Sequence, residues 1–149
     1  MDSALYYLKQ TAIDFPAYIQ YFYLKNDANG LVNFVMSNTI DSLMYNNSDL
    51  GLAYSRMAEM FALKNLTVDA RNYYDNSVTL MPFVIDYKLK LGAFLIDKKQ
   101  LEAAKEIFET ALNLNPTYKE IHLNLGYILI LQEKFLKADL YLKQAIALD

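Results

Sequence analysis

The stretch that decides the fold is residues 85–118, IDYKLKLGAFLIDKKQLEAAKEIFETALNLNPTY, whose pattern returns in residues 119–149. Gly92 and Gly126 are 34 residues apart, and each follows a leucine. Block 51–84 keeps the same period. Alanines recur at this interval too, at Ala70, Ala104 and Ala138. A fixed period of this length indicates an array of structural repeats.

Each block has the spacing of helices rather than strands. In the second half of block 85–118 the apolar residues fall three and four apart, which is one face of a helix. They are Leu101, Ala104, Ile107, Phe108, Ala111 and Leu112. Pro116 cannot continue that helix. Thr117 with Glu120 three residues later predicts a capping box at the start of the next one.

These positions resemble the tetratricopeptide repeat, which has large and small residues at fixed places. Block 85–118 carries Leu91, Gly92, Leu95, Ala104, Phe108, Ala111 and Pro116, with Lys88 where the family has an aromatic. Block 119–149 carries His122 at that aromatic position. The resemblance implies an all-α fold, a right-handed α-solenoid of antiparallel helix pairs with about nine helices. Gly or Ala would lie where paired helices cross, because only a small residue lets their axes approach.

The chain is expected to form one domain over residues 1–149, but its first third departs from the pattern. Residues 1–16 resemble the end of the last block, which predicts the second helix of a partial repeat. Residues 17–50 have the length of one repeat and predict a diverged helical hairpin. Its first helix is expected to reach about Asn29, with a left-handed helix end at Asn29-Gly30 and a second helix to about Tyr45.

In that hairpin the small positions of the family are occupied by Leu24, Met36 and Leu43. Because the chain starts in mid-repeat and its last helix carries exposed-type apolar residues, we expect a fragment of a longer array. The uncovered ends would be sites of self-association, or would be covered by more of the same chain or by a partner.

Composition excludes several other classes of function. The net charge of -3 comes without a long basic run, so nucleic acid is not expected as a partner. No apolar stretch is long enough for direct insertion into a membrane. Without cysteine there are no disulfides or thiolate ligands. The single histidine, His122, has no convergent partners in the pattern, so we expect no catalytic residue, metal or cofactor.

The resemblance also implies a binding groove lined by the first helix of each repeat. The candidate groove residues are Arg56, Glu59, Lys90, Asp97, Leu123, Asn124 and Tyr127. Apolar positions between a few charges suit a partner peptide or helix. A second apolar group, formed by Tyr18, Tyr21, Phe22 and Tyr23, is expected to be buried between neighbouring helices rather than to bind a partner.

We therefore expect a non-catalytic protein–protein interaction module, a scaffold or assembly factor for a multi-protein complex. Two alternatives remain open, a small secretion chaperone of tetratricopeptide type and a regulatory domain of a larger enzyme. A ratio of twelve Lys to two Arg is typical of a low-GC bacterium. A cytoplasmic location is preferred, and a periplasmic one is the alternative if the chain is a fragment.

Overall fold

The computed structural model describes residues 15–38 and 47–148, which form eight helices without a strand. The helices are α1 Phe15–Leu24, α2 Ala28–Asn38, α3 Asn47–Leu63, α4 Thr67–Leu80, α5 Ile85–Asp97, α6 Leu101–Leu114, α7 Lys119–Leu131 and α8 Phe135–Ala147. The predicted all-α solenoid class is confirmed. The helix predicted within residues 1–16 falls almost entirely outside the described residues, as does the end predicted near Tyr45.

The chain divides into two compact units, with the boundary between Pro82 and Phe83. In the first unit α3 pairs with α4, and both α1 and α2 pack on α3. In the second unit α5 pairs with α6 and α7 with α8, while α6 also packs against α7. Each predicted block from 51 onwards thus holds one helix pair. The division of the whole chain into repeats stays a prediction.

Small residues lie where the helices of a pair cross in the second unit. A methyl group on Gly92 of α5 would lie 2.8 Å from Cε1 of Phe108 on α6. A methyl group on Gly126 of α7 would lie 2.8 Å from Cδ2 of Leu142 on α8. Real carbon contacts are not this short, so only glycine fits at either crossing. This confirms the predicted reason for the glycines of the repeat.

Every turn between a first helix and its partner has the same geometry. At the end of α5 the N–H of Gln100 donates to the carbonyl of Leu95 at 2.9 Å, and the N–H of Lys99 donates to that of Ile96 at 2.9 Å. This is a Schellman motif, which needs a residue in the left-handed region. The four left-handed residues have φ between 52° and 59°, and they are Asn26, Asn65, Lys99 and Glu133.

The prediction of a helix break at Asn29-Gly30 is wrong. Both residues lie inside α2, and the left-handed residue is Asn26. Asp27 precedes α2 and its Oδ1 accepts the backbone N–H of Gly30 at 2.8 Å, which is the bond of a helix N-cap. Asparagine adopts the left-handed conformation at either place, so the dipeptide Asn-Gly alone did not locate the turn.

The position of that turn also changes which residues pack in the hairpin. Asn26 lies 39 residues before Asn65, not 34. Ile19 and Leu31, which are fully buried, therefore occupy the places of the small residues in later repeats. Leu24 and Met36, which the sequence register placed there, are 74% and 51% exposed. Leu43 lies outside the described residues.

The predicted capping box at Thr117 is wrong as well. The residue before α7 is Tyr118, and no side chain caps the helix. Thr117 instead donates its backbone N–H and its hydroxyl to Oδ1 of Asn115, at 3.1 and 2.9 Å. Asn115 thus closes a local turn around Pro116 and takes the threonine that the box would have used.

Candidate functional site

Five of the seven candidate groove residues lie on two helices of the second unit. Helix α5 carries Lys90 and Asp97, and α7 carries Leu123, Asn124 and Tyr127. These are the first helices of successive repeats, and they contact each other directly. We therefore looked for the site on the side where α5 and α7 lie next to each other.

An open cleft of about 560 Å³ lies at the carboxyl ends of these two helices. It is lined by Ala93, Ile96, Asp97, Lys99, Leu101, Tyr127 and Leu131. The structure thus brings together Asp97 and Tyr127, which are 30 residues apart in sequence. Ala93 is exposed, so its small side chain leaves the floor of the cleft accessible.

Helix α7 presents a row of apolar side chains on this side. Leu123, Tyr127 and Leu131 follow one another at intervals of four residues, and they are 40%, 49% and 44% exposed. Residues four apart lie on one face of a helix, so the three form a continuous stripe. A stripe of large, half-exposed apolar residues next to a cleft is typical of a protein-binding surface.

Polar contacts hold the other candidates of the second unit in place. Nζ of Lys90 lies 3.5 Å from a carboxylate oxygen of Asp86, one turn earlier on α5. Asp97 pairs with Lys98 at 2.8 Å while its side chain stays 70% exposed. The amide of Asn124 donates to the carbonyl of Glu120 at 2.7 Å. Exposed pairs of this kind contribute little to stability, so the charged groups remain available to a partner.

Arg56 and Glu59, the two candidates of the first unit, contact each other. Nη1 of Arg56 lies 3.1 Å from Oε2 of Glu59, and the guanidinium stacks over the ring of Tyr23 at 4.5 Å. Their side chains are only 28% and 17% exposed. Burial, and then the charge of Glu59, raise the pKa of Tyr74 to about 12. The contacts join α1, α3 and α4, so a role in packing stands beside the predicted role in binding.

The aromatic run of α1 is packed, as predicted. Tyr18 is buried and stacks on Phe34 of α2 with ring centroids 4.6 Å apart. Phe22 lies 5.8 Å from the same ring, and Tyr21 lies edge-on to Phe22 at 5.2 Å. Tyr23 lies beneath Arg56. The run therefore stabilises the first unit through aromatic contacts.

His122 lines a second cleft of about 470 Å³, between α6, α7 and α8. It is 5% exposed, and its Nε2 lies 2.6 Å from the carbonyl of Pro116. A carbonyl only accepts, so Nε2 carries the proton and donates it. Its ring lies 6.0 Å from that of Tyr141. The histidine thus fills the aromatic position of the repeat and fixes the loop before α7.

Within residues 15–38 and 47–148, no three His, Asp or Glu side chains lie close enough together to hold a metal ion. None of the helices described is both long and apolar enough to cross a membrane.

Three lining residues of the first cleft were not among the candidates. Ile96 and Leu101 carried only a core signal in the sequence, and Lys99 was part of a charged run predicted to be a solvated turn. The Schellman turn at Lys99 places all three beside Asp97. A sequence signal for them was present in the repeat period, since the left-handed residue recurs 34 residues apart at Asn65, Lys99 and Glu133.

Antiparallel helix pairs, crossed at small residues and flanked by an open apolar cleft, define an α-solenoid scaffold for protein–protein interaction. The family model of the tetratricopeptide repeat matches residues 85–118 and 119–149. The chain is a tetratricopeptide repeat protein.

Solved structures of MamA share the fold. A MamA structure from MSR-1 is 17% identical, covers 89% of this chain and 71% of its own, and superposes with a TM-score of 0.65. A further crystal structure of MamA is 16% identical, covers 90% of this chain and 85% of its own, and has a TM-score of 0.63. At these identities the likeness is one of fold. No curated protein matches the sequence.

Proposed function

We propose that this chain is a non-catalytic scaffold or assembly factor that binds a peptide or helix of a partner protein along α5 and α7. The observation that carries the proposal is the cleft that joins Asp97 to the apolar stripe of α7. A partner side chain would enter between Tyr127 and Leu131, while the exposed carboxylate of Asp97 would bind a donor beside it. Large aromatic residues at the centre of a surface contribute most of the binding energy in such interfaces.

The remaining candidates would set the direction of the bound segment. Lys90 and Asp86 form an ion pair that is accessible from one end of the stripe, where Leu123 also lies. Asp97 marks the other end. A mixed arrangement of charges with an apolar centre selects a partner by charge register rather than by overall charge.

The test is affinity capture from the native host with three baits. The wild-type chain is compared with a groove variant, Lys90→Glu/Tyr127→Ala, and with a matched control, Lys105→Glu/Leu114→Ala, which makes the same kinds of change on α6. We expect one set of proteins to be retained by the wild type and the control and lost from the groove variant. Equal capture by all three baits would contradict binding at α5 and α7.

A further inference from the structure

Helix α8 carries two exposed leucines that the repeat pattern does not account for. Leu136 is 89% exposed and Leu140 is 63% exposed, and they are one helical turn apart. The residues 34 positions earlier on α6 are Glu102 and Glu106, which are also exposed. The same outward positions on α4 are Val68 and Asn72. Two leucines thus stand where α6 has two glutamates.

These leucines do not lie on the face where a following repeat would pack. Helix α6 is followed by α7 and α8, and yet Glu102 and Glu106 remain exposed. A further helix pair after α8 would therefore leave Leu136 and Leu140 exposed in the same way. By contrast, Leu112 of α6 faces the following pair, since it lines a cleft with Leu140 and His122.

The counterpart of Leu112 on α8 is Ile146, which is 73% exposed, and the counterpart of the half-buried Leu101 is Phe135, which is 61% exposed. Phe135 and Ile146 therefore form the end face of the array, where a next repeat would pack. Leu136 and Leu140 form a separate outward face of α8.

The charges beside the outward face point to its occupant. Asp139 and Lys143 lie one turn apart on α8, and they border the two leucines on one side, by the rotation of about 100° per residue. Their charged groups are 2.7 Å apart and mostly exposed. When two such helices meet in antiparallel fashion, the same border of each meets the other in reverse order. Asp139 of one copy then lies opposite Lys143 of the second copy, and Lys143 opposite Asp139.

We propose that the outward face of α8 is a self-association surface, on which two copies of this chain pair through antiparallel α8 helices. The face is complementary to itself in charge and apolar at its centre, which is the requirement for a twofold symmetric contact. Two helices of this length bury less than the roughly 1,200 Å² of a standard interface, so the dimer is weak and depends on concentration. This contact is distinct from self-association through the end face and from the groove of α5 and α7.

The test is sedimentation equilibrium of the purified chain over a range of concentrations. We expect a monomer–dimer equilibrium whose dissociation constant rises about thirtyfold or more in Leu136→Glu/Leu140→Glu, as when central interface residues are lost. This variant places at α8 the residues that α6 already carries there, so its circular dichroism and melting should match the wild type. The control Phe135→Glu/Ile146→Glu alters the end face and should leave the dimer intact.

A charge exchange tests the antiparallel geometry. Asp139→Lys alone and Lys143→Asp alone should each weaken the homodimer, and an equimolar mixture of the two variants should form heterodimers. A chain that stays monomeric at every concentration would overturn the proposal. So would a dimer that is lost in the end-face variant and kept in Leu136→Glu/Leu140→Glu, or a charge mixture that forms no heterodimer.

Discussion

The ring of Phe108 on α6 lies against the backbone of Gly92 on α5, so close that a methyl group at position 92 would overlap it. Phe108 is fully buried, and its neighbours leave the ring no free volume to move into. The contact sets the distance between the two helices of this repeat, and with it the position of the cleft formed by α5 and α7.

Gly92→Ala should therefore destabilise the chain, although alanine is the better helix former by about 1 kcal/mol. We expect a net loss of about 1–3 kcal/mol from overpacking against Phe108. Chemical denaturation measures it. The control is Ala93→Gly at the next, exposed position, which should lose only the helix propensity. A stabilised Gly92→Ala variant would show that the ring can move and that the crossing does not require glycine.

Glu133 holds a left-handed conformation that costs a side chain about 1–2 kcal/mol. Glu133→Gly should remove that cost, offset in part by the greater freedom of glycine in the unfolded chain, for a net gain of about 0.5–1 kcal/mol. The measurement is the melting temperature. Glu133→Ala keeps the strained conformation and should show no such gain. If both variants melted alike, the turn would not be under strain.

Lys88 is 7% exposed at a position where the repeat family has an aromatic residue, and burial lowers the pKa of its ammonium group. The folded state then holds the proton less tightly than the unfolded state. The penalty is fully present below the folded pKa and disappears as the pH rises through the ordinary value of 10.5.

Lys88→Met keeps the buried stem and removes the charge, so at neutral pH it should raise the free energy of unfolding by about 1 kcal/mol. The gain should shrink as the pH approaches 10.5. Thermal unfolding at several pH values follows it, with the exposed Lys64→Met as the reference. A gain that is constant with pH would mean that the benefit comes from packing and not from removal of a buried charge.

His122 provides a test of its structural role. His122→Phe restores the aromatic that is usual in the family but loses the bond to the carbonyl of Pro116, for a cost of about 1 kcal/mol. His122→Ala also leaves a cavity beside Tyr141 and should cost about 3 kcal/mol. Denaturant titration separates the two. Full stability in both variants would argue against a packing role for the ring.

The sequence predicted the second unit well because its signals are local and repeated. Gly92, Ala104 and Phe108 recur in type every 34 residues, so their burial followed from the period. The first hairpin was harder, since Ile19 and Leu31 replace the small residues that mark the register. Asn26 and Asn29 are equally able to adopt the left-handed turn, and only the packed structure distinguishes them.

The candidate site was predicted in part. Position within the repeat placed Asp97 and Tyr127 on the same side of successive first helices, and both line the cleft. Arg56 and Glu59 followed from the same rule, yet their contacts with each other and with Tyr23 depend on how α1 packs on α3. Such contacts between distant residues of an irregular hairpin have no periodic signal.

The most direct test of groove binding is site-specific photocrosslinking in the native host, with a photoreactive amino acid in place of Tyr127 and, in a separate strain, in place of Leu114 on α6. The account predicts a discrete crosslinked protein at position 127 that is absent at position 114 and is reduced when Asp97→Lys is added. A crosslinked product of equal strength at both positions, or none at position 127, would contradict the assignment of α5 and α7 as the binding surface.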